Sequence, residues 1–498
     1  MSNRPNILLI MCDQLNPATL SCYGGPVPTR NIDRLAAEGV RFTDAICPCP
    51  MCSPSRASLI TGLYPHAHGI TCNTHRRDYP AIPAPKTEEA IKADEPTTER
   101  ILNAAGYDTH QYGKWHLRDD DLPYYPDMYG EHHEYADEMA DTFARVRSGP
   151  RESYMEWYGW ALPVRQSRAL TEAVRALGGR WDHAEYFDFV AKMGRLELPV
   201  EKTFDARVAD CAVQYLRDCA RPPFMLTCSF NWPHDPNVVP SPYYEMFDPD
   251  AIELPANFNA REARYENQWS RRIVADLGEV GARELMRVYY ACVKLIDDQV
   301  GRVLGALEAS GQANDTIVVF TADHSDMCGG HGMVWKSTDA FYEEVVGVPF
   351  ILRYPPQVRP GVTGLPLDLT DVMPTLLDLC GLAAPAHVQG HSLVPFVSGT
   401  RSLEEAPRFR FCERVAANPE HIRHVSEDVS GHFMVRGEGW KYVRHHEGEE
   451  QLFDLDNDPG ETCNLAAEPQ YENRKKQLRR RLETWLVETG LPRRWGDT

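Results

Sequence analysis

Thiol, carboxylate, imidazole and ammonium side chains stand at a few separated points of this sequence in patterns that could do chemistry. Cys52-Ser53-Pro54-Ser55-Arg56 sets a thiol four residues ahead of a guanidinium. Alone, the cysteine reads as a buried structural thiol and the arginine as a surface ion-pair partner. Asp13 follows the apolar run Asn6-Ile7-Leu8-Leu9-Ile10-Met11, and Asp323 follows the β-branched run 316–321. One acid at a strand end is ordinarily an N-cap or a turn residue, but two lie where open α/β sheets bind ligands, at the carboxyl ends of strands. Lys114 and His116 alternate, so a strand extension turns both to one side, although alone such a pair is more often solvated at a strand end. His234 after Pro233 and the lone Lys336 carry no strong local motif.

The elements that must position these groups follow an α/β pattern. Strands are expected at 7–11, 107–112, 224–228, 316–321 and 348–353, and amphipathic helices at 31–38, 97–105, 203–218 and 284–310. The stretch 119–202, rich in Tyr, Trp, Arg and Glu, has little regular periodicity and reads as an inserted, substrate-shaping region. After residue 385 the pattern changes to short strands at 439–443 and 451–455 and a helix over 470–488, a small antiparallel sheet with a packed helix. The expected division is a catalytic domain over 1–385 and a small α+β subdomain over 386–498.

With 498 residues, 43% of them hydrophobic, the chain can bury a large core. A formal charge of -20 argues against a nucleic-acid-binding surface. The first apolar run is too short to span a membrane, lacks a cleavage site, and no other stretch reaches the roughly 18 apolar residues a span requires. A cytoplasmic protein without a membrane partner is the expectation, its fourteen cysteines reduced. A zinc cluster at Cys47, Cys49 and Cys52 is disfavoured, because the intervening prolines make no standard knuckle and no matching pair follows.

Taken together, Asp13-Gln14, Cys52 to Arg56, Gly113-Lys114-Trp115-His116, Pro233-His234, Asp323-His324 and Lys336 resemble, in order, the motifs of type I sulfatases of the alkaline phosphatase superfamily. Leu452-Phe453-Asp454-Leu455, Asp458-Pro459, Glu461 and Asn464-Leu465 resemble that family's small-domain motif. The resemblance implies a large mixed sheet sandwiched by helices, and a Cys52 oxidised to formylglycine by a maturation enzyme. Hydrated, that residue carries two hydroxyls, one to attack sulfur and one to expel sulfate by collapse to the aldehyde, whereas a serine could do only the first step. The resemblance makes Asp13, Gln14, Asp323 and His324, with an oxygen of residue 52, the ligands of one divalent metal; an oxygen-rich set favours calcium, with manganese the alternative. Arg56 would hold the diol and sulfate, Lys114 would contact both, and His116 would be the base for elimination. His234 and Lys336 would bind the bridging oxygen and help protonate the departing alcohol.

Many family members carry Asp where Gln14 stands and Asn where His324 stands. Gln14, His324 and Asn73, a candidate substrate-binding residue, resemble instead the related phosphonate monoester hydrolases. Gly113 to His116 resembles the sulfatases. A sulfate monoester hydrolase is therefore expected, with a phosphonate monoester or phosphodiester hydrolase as runner-up and a silent binding protein third. The small sulfated substrate could be a sugar, aryl or alkyl sulfate, since aromatic faces pack on all three, and a homo-oligomer would be unsurprising. His66, His68, His75 and His331 read as core or surface histidines.

Overall fold

The computed structural model describes residues 4–73, 91–92, 94–117, 154–157, 160–165, 167–177, 193–260, 267–415, 431–446 and 448–490. A seven-stranded sheet forms its centre, in the order Gly361–Thr363, Val40–Phe42, Phe350–Arg353, Thr316–Ala322, Asn6–Asp13, Phe224–Pro233 and Asp108–Gly113. The last four run parallel, while Phe350–Arg353 pairs antiparallel on both its edges, so the sheet is mixed. Every residue of Asn6–Asp13 is buried, which is why that strand reads as a continuous apolar run instead of an alternating one.

Register carries this pattern to the functional edge. Asn6 lies opposite Thr316 and Cys12 opposite Ala322, so both strands run out together and deliver Asp13 and Asp323 side by side. The Asp323 N–H donates to the Cys12 carbonyl at 3.2 Å. A register shift at Cys12/Asp13 then sets Asp13 against Pro233. Four adjacent parallel strands thus present Asp323, Asp13, His234 and Lys114 from one edge of the sheet.

Two groups of helices pack around the sheet. Gln268–Ala309 contacts both Arg30–Glu38 and Phe204–Gln214, while Cys52–Thr61, Thr98–Ala104 and Val372–Leu379 contact one another. Thr97 and Thr203 cap two of them, their hydroxyls accepting from the N–H groups of Arg100 and Ala206. The helix expected from 284 begins sixteen residues earlier, at Gln268, because Gly278 takes a left-handed φ of 64° that breaks the apolar periodicity before the long segment resumes. The helix expected to 218 stops at Gln214 and closes in a π-turn, Tyr215–Cys219.

The irregular stretch expected at 119–202 needs correction where it is described. Tyr154–Trp157, Trp160–Arg165 and Met193–Leu196 are strands, and they join Asn237–Pro240 in a second four-stranded sheet. Residues 119–153, 158–159, 166 and 178–192 lie outside the described residues.

A third sheet of four antiparallel strands, Phe409–Val415, Gly431–Gly437, Trp440–Arg444 and Glu450–Asp454, packs Phe411, Val435 and Tyr442 against Leu478, Leu482 and Trp485 of the helix Glu472–Glu488. Lys441, fully buried, ties this sheet to the rest of the chain: its ammonium lies 2.7 Å from both Glu343 and Glu461. Among the described residues no helix is long and apolar enough to cross a membrane.

Candidate active site

Cys52 begins the fully buried helix Cys52–Thr61, at the sheet edge that carries the two acids. Its Sγ lies 3.2 Å from His324 Nε2, 3.2 Å from Lys336 Nζ, 3.7 Å from Lys114 Nζ and 3.7 Å from Asp13 Oδ1. Burial pushes the thiol up, but Lys114, Lys336 and His324 outweigh it and hold the group well below its ordinary value. The helix N-terminus adds its partial positive charge. Residue 52 therefore stands where negative charge is stabilised.

Asp13, Cys52, Asp323 and His324 each bring a ligand atom within 4.8 Å of the others. Asp13 Oδ2 accepts from Arg56 at 2.9 Å and pairs with Lys114 at 2.6 Å. Asp323 Oδ2 accepts from Arg56 Nε at 2.8 Å, and its Oδ1 accepts from the N–H groups of Gln14 and His324. His324 Nδ1 donates to the Ser325 carbonyl at 3.1 Å, which makes Nε2, 3.2 Å from Cys52, the ring atom that would serve as a ligand. Gln14 takes a left-handed φ of 63°, and its Oε1 is buried without a hydrogen-bond partner among the described residues.

The electrostatics of the two acids point the same way. Burial and Cys52 work against Asp13, yet Lys114, His234 and Arg56 hold it well below the usual carboxylate range. Asp323 is pushed up, first by burial and then by Asp13, with Arg56 opposing. Arg56 is shared by both acids while Lys114 serves Asp13, so Asp323 is the one left short of positive charge. An orphaned amide oxygen, two carboxylates and an imidazole nitrogen are donor types that fit a divalent cation.

Arg56 is 1% exposed and serves protein acceptors: Asp323 through Nε, Asp13 through Nη2, and Lys114 O and Ser229 Oγ through Nη1. A guanidinium has five N–H donors, so these four bonds leave one on Nη2. Arg56 is first a clamp on the two acids, with only a fraction of its fork left for sulfate.

Lys114 and His116 both reach residue 52, by a route the alternation argument missed. The strand stops at Gly113, whose φ of 96° turns the chain where a Cβ would stand 2.0 Å from the Ser229 carbonyl. His116 itself has a φ of 57°. Burial is the main cause of its depressed pKa, about 4, against a hydrogen bond to Cys52 that raises it.

His234 Nδ1 donates to the Asp235 carbonyl at 2.6 Å, so its Nε2 accepts from Lys336 Nζ, 3.1 Å away. Burial opposes the charge of Lys336, but Cys52, Asp13 and Asp235 raise its pKa above the usual lysine value. Asn73 Oδ1 accepts from the Ser53 N–H at 3.1 Å, capping the Cys52 helix from outside.

Asp326, Ser229 and Asp205 were not singled out from the sequence. Asp326 accepts from the Gln14 side chain at 2.6 Å, and Asp205 accepts from the Asn231 N–H just ahead of His234. Only Asp326 had a usable signal, its place two residues after His324. His66 pairs with Glu413, His68 hydrogen-bonds Ser58 and His331 stacks on Tyr342, while His75 lies outside the described residues. The metal-competent group holds Cys52 without Cys47 or Cys49.

Residues 5–382 match the family model described as Sulfatase, and residues 329–488 match that of the N-sulphoglucosamine sulphohydrolase C-terminal region. An arylsulfatase of Clostridium perfringens is 29% identical over 497 residues, covering 96% of this chain and 93% of that one. A choline-sulfatase of Rhizobium meliloti is 29% identical over 489 residues, covering 94% and 83%. The phosphonate monoester hydrolase of Agrobacterium radiobacter shares the fold, with a TM-score of 0.75 at 24% identity over 98% of this chain and 96% of that one.

Proposed function

We propose, from the premise that the chain belongs to the sulfatase family and is a sulfuric ester hydrolase, that residue 52 works as formylglycine beside one divalent cation, calcium in preference to manganese. The observation that carries this reading is the cage around Cys52: a fully buried Sγ within 3.7 Å of two ammonium groups, an imidazole and a carboxylate. That atom stands in for the oxygens of the oxidised, hydrated residue. The diol supplies one hydroxyl to attack sulfur and a second to release sulfate. Because Cys52 is buried, the maturation enzyme has to act before the chain folds.

Asp13, Gln14, Asp323 and His324 would hold the cation, which supplies Lewis-acid stabilisation of charge on residue 52. Arg56 keeps the two acids in register. Lys114 faces residue 52 as a fixed, desolvated cation, the arrangement that stabilises charge developing on a transferred anion. His116, neutral at pH 7, accepts the proton of the second hydroxyl. Lys336, its ammonium held between residue 52 and His234 Nε2, donates to the bridging oxygen of the departing alcohol.

Gln14, His324 and Asn73 favour a second reading, a phosphonate monoester or phosphodiester hydrolase. Lys114 decides between them, because a sulfate with three terminal oxygens needs cations where a diester carries a substituent. Lys114→Ala is expected to lower sulfate monoester turnover by about 100- to 1000-fold and phosphodiester turnover far less. Loss of the Asp13 contact would weaken both reactions alike, so the ratio isolates the sulfate contact. Equal losses, or a wild type that prefers phosphonate esters to every sugar, aryl and alkyl sulfate tried, would favour the second reading.

A further inference from the structure

The geometry points to Asp326 as a positioning residue that decides which end of the Gln14 amide faces the cation. An amide can offer a metal its oxygen or its NH2, and the two ends are almost the same size. The wrong end turns two N–H groups toward a positive ion. Something other than shape therefore has to choose.

The Gln14 backbone is fixed without reference to that choice. Its N–H donates to Asp323 Oδ1 at 3.1 Å, and its carbonyl accepts from the Tyr289 hydroxyl at 2.6 Å. Among the described residues the side-chain amide meets one partner, the buried Asp326, whose Oδ2 lies 2.6 Å from Gln14 Nε2. Gln14 Nε2 donates to Asp326 Oδ2, and a flipped amide would set Oε1 against that oxygen at the same distance. Nε2 is thus held to Asp326, and Oε1, buried and without a hydrogen-bond partner among the described residues, is left on the opposite side of the amide.

The other oxygen of the same carboxylate does a separate task. Asp326 Oδ1 accepts from the N–H groups of Cys328 at 2.8 Å and Trp335 at 3.1 Å, which anchors the segment that delivers Lys336. The two oxygens can therefore be tested apart. In Asp326→Asn, Oδ1 can keep both backbone bonds while the new NH2 faces Gln14, whose amide has to turn its oxygen to the asparagine and its NH2 to the cation.

This inference rests on the reading of Asp13, Gln14, Asp323 and His324 as cation ligands, and its test is a binding measurement. Ca2+ and Mn2+ are titrated calorimetrically into chelator-stripped protein. Asp326→Asn should bind about 10- to 100-fold more weakly, the usual effect of losing a partner that orients a ligand, while thermal unfolding of the stripped protein stays at the wild-type midpoint. Adding Gln14→Glu to Asp326→Asn swaps the polarity of the pair without changing its net charge: the asparagine donates to one glutamate oxygen and the other faces the cation. That double variant should recover wild-type affinity. Undiminished binding by Asp326→Asn, or a double variant as weak as the single, overturns the assignment while the ligand reading stands. A wild type that binds neither cation overturns the ligand reading and the assignment together.

Discussion

Replacing Arg56 by alanine tests the electrostatic frame on which the whole site depends. The guanidinium, 1% exposed, bonds Asp13 at 2.9 Å, Asp323 at 2.8 Å, the Lys114 carbonyl at 2.8 Å and the Ser229 hydroxyl at 2.9 Å. Removing one member of a buried ion pair costs about 3–5 kcal/mol, because the partner charge stays behind uncompensated. Asp13 keeps Lys114 at 2.6 Å, but Asp323 loses its paired cation, which places Arg56→Ala at about 3–5 kcal/mol, against a typical domain stability of about 5–15 kcal/mol. Arg56→Lys keeps the charge, but one ammonium cannot span four acceptors set around a planar fork, so an intermediate loss is expected. Urea unfolding of chelator-stripped protein measures the difference. With calcium saturating, the gap should narrow, since the cation compensates the same two acids. An Arg56→Ala protein within about 0.5 kcal/mol of wild type when stripped, the range of an indifferent surface change, would refute the clamp.

Lys336→Ala should cost little on an aryl sulfate whose phenol leaves unaided and about 100- to 10,000-fold on an alkyl sulfate that needs a proton. A loss uniform across a series of leaving groups would remove Lys336 from that task. Glu99 tests pH dependence away from the site: burial pushes its carboxyl up to about 7. The native state then binds this proton more tightly than the unfolded chain, so the contribution is intact below about pH 4.5 and is lost as pH rises through 7, by about 3 kcal/mol. Glu99→Gln should remove that decline from stability measured between pH 4.5 and 8, and parallel curves for the two proteins would count against it.

Much of the site could be read in the sequence because parallel strands carry their own signal. A fully buried strand is a continuous apolar run, and the polar residue that ends it marks the sheet edge; Asp13 and Asp323 were found that way. Lys114 and His116 were found for a partly wrong reason, since Gly113 turns the chain before the alternation of a strand can operate. Asp326 and Ser229 were missed because each acts through another residue, and sequence spacing does not show which acceptor a buried amide or guanidinium will meet. The second sheet escaped for a different cause. Asn237–Pro240 and Met193–Leu196 are four-residue strands far apart in sequence, too short to establish a period and dependent on tertiary pairing. Gly278 hid the first turns of the long helix by breaking the pattern at one residue.

The central claim, that residue 52 works as an aldehyde hydrate and not as a thiol, is tested most directly by the mass of the peptide that contains it. Protein made together with the maturation enzyme should show the formylglycine mass at residue 52, with specific sulfatase activity rising in proportion to the converted fraction, and Cys52→Ala should fold and release no sulfate. A fully active preparation whose residue 52 is entirely unmodified cysteine would contradict the account.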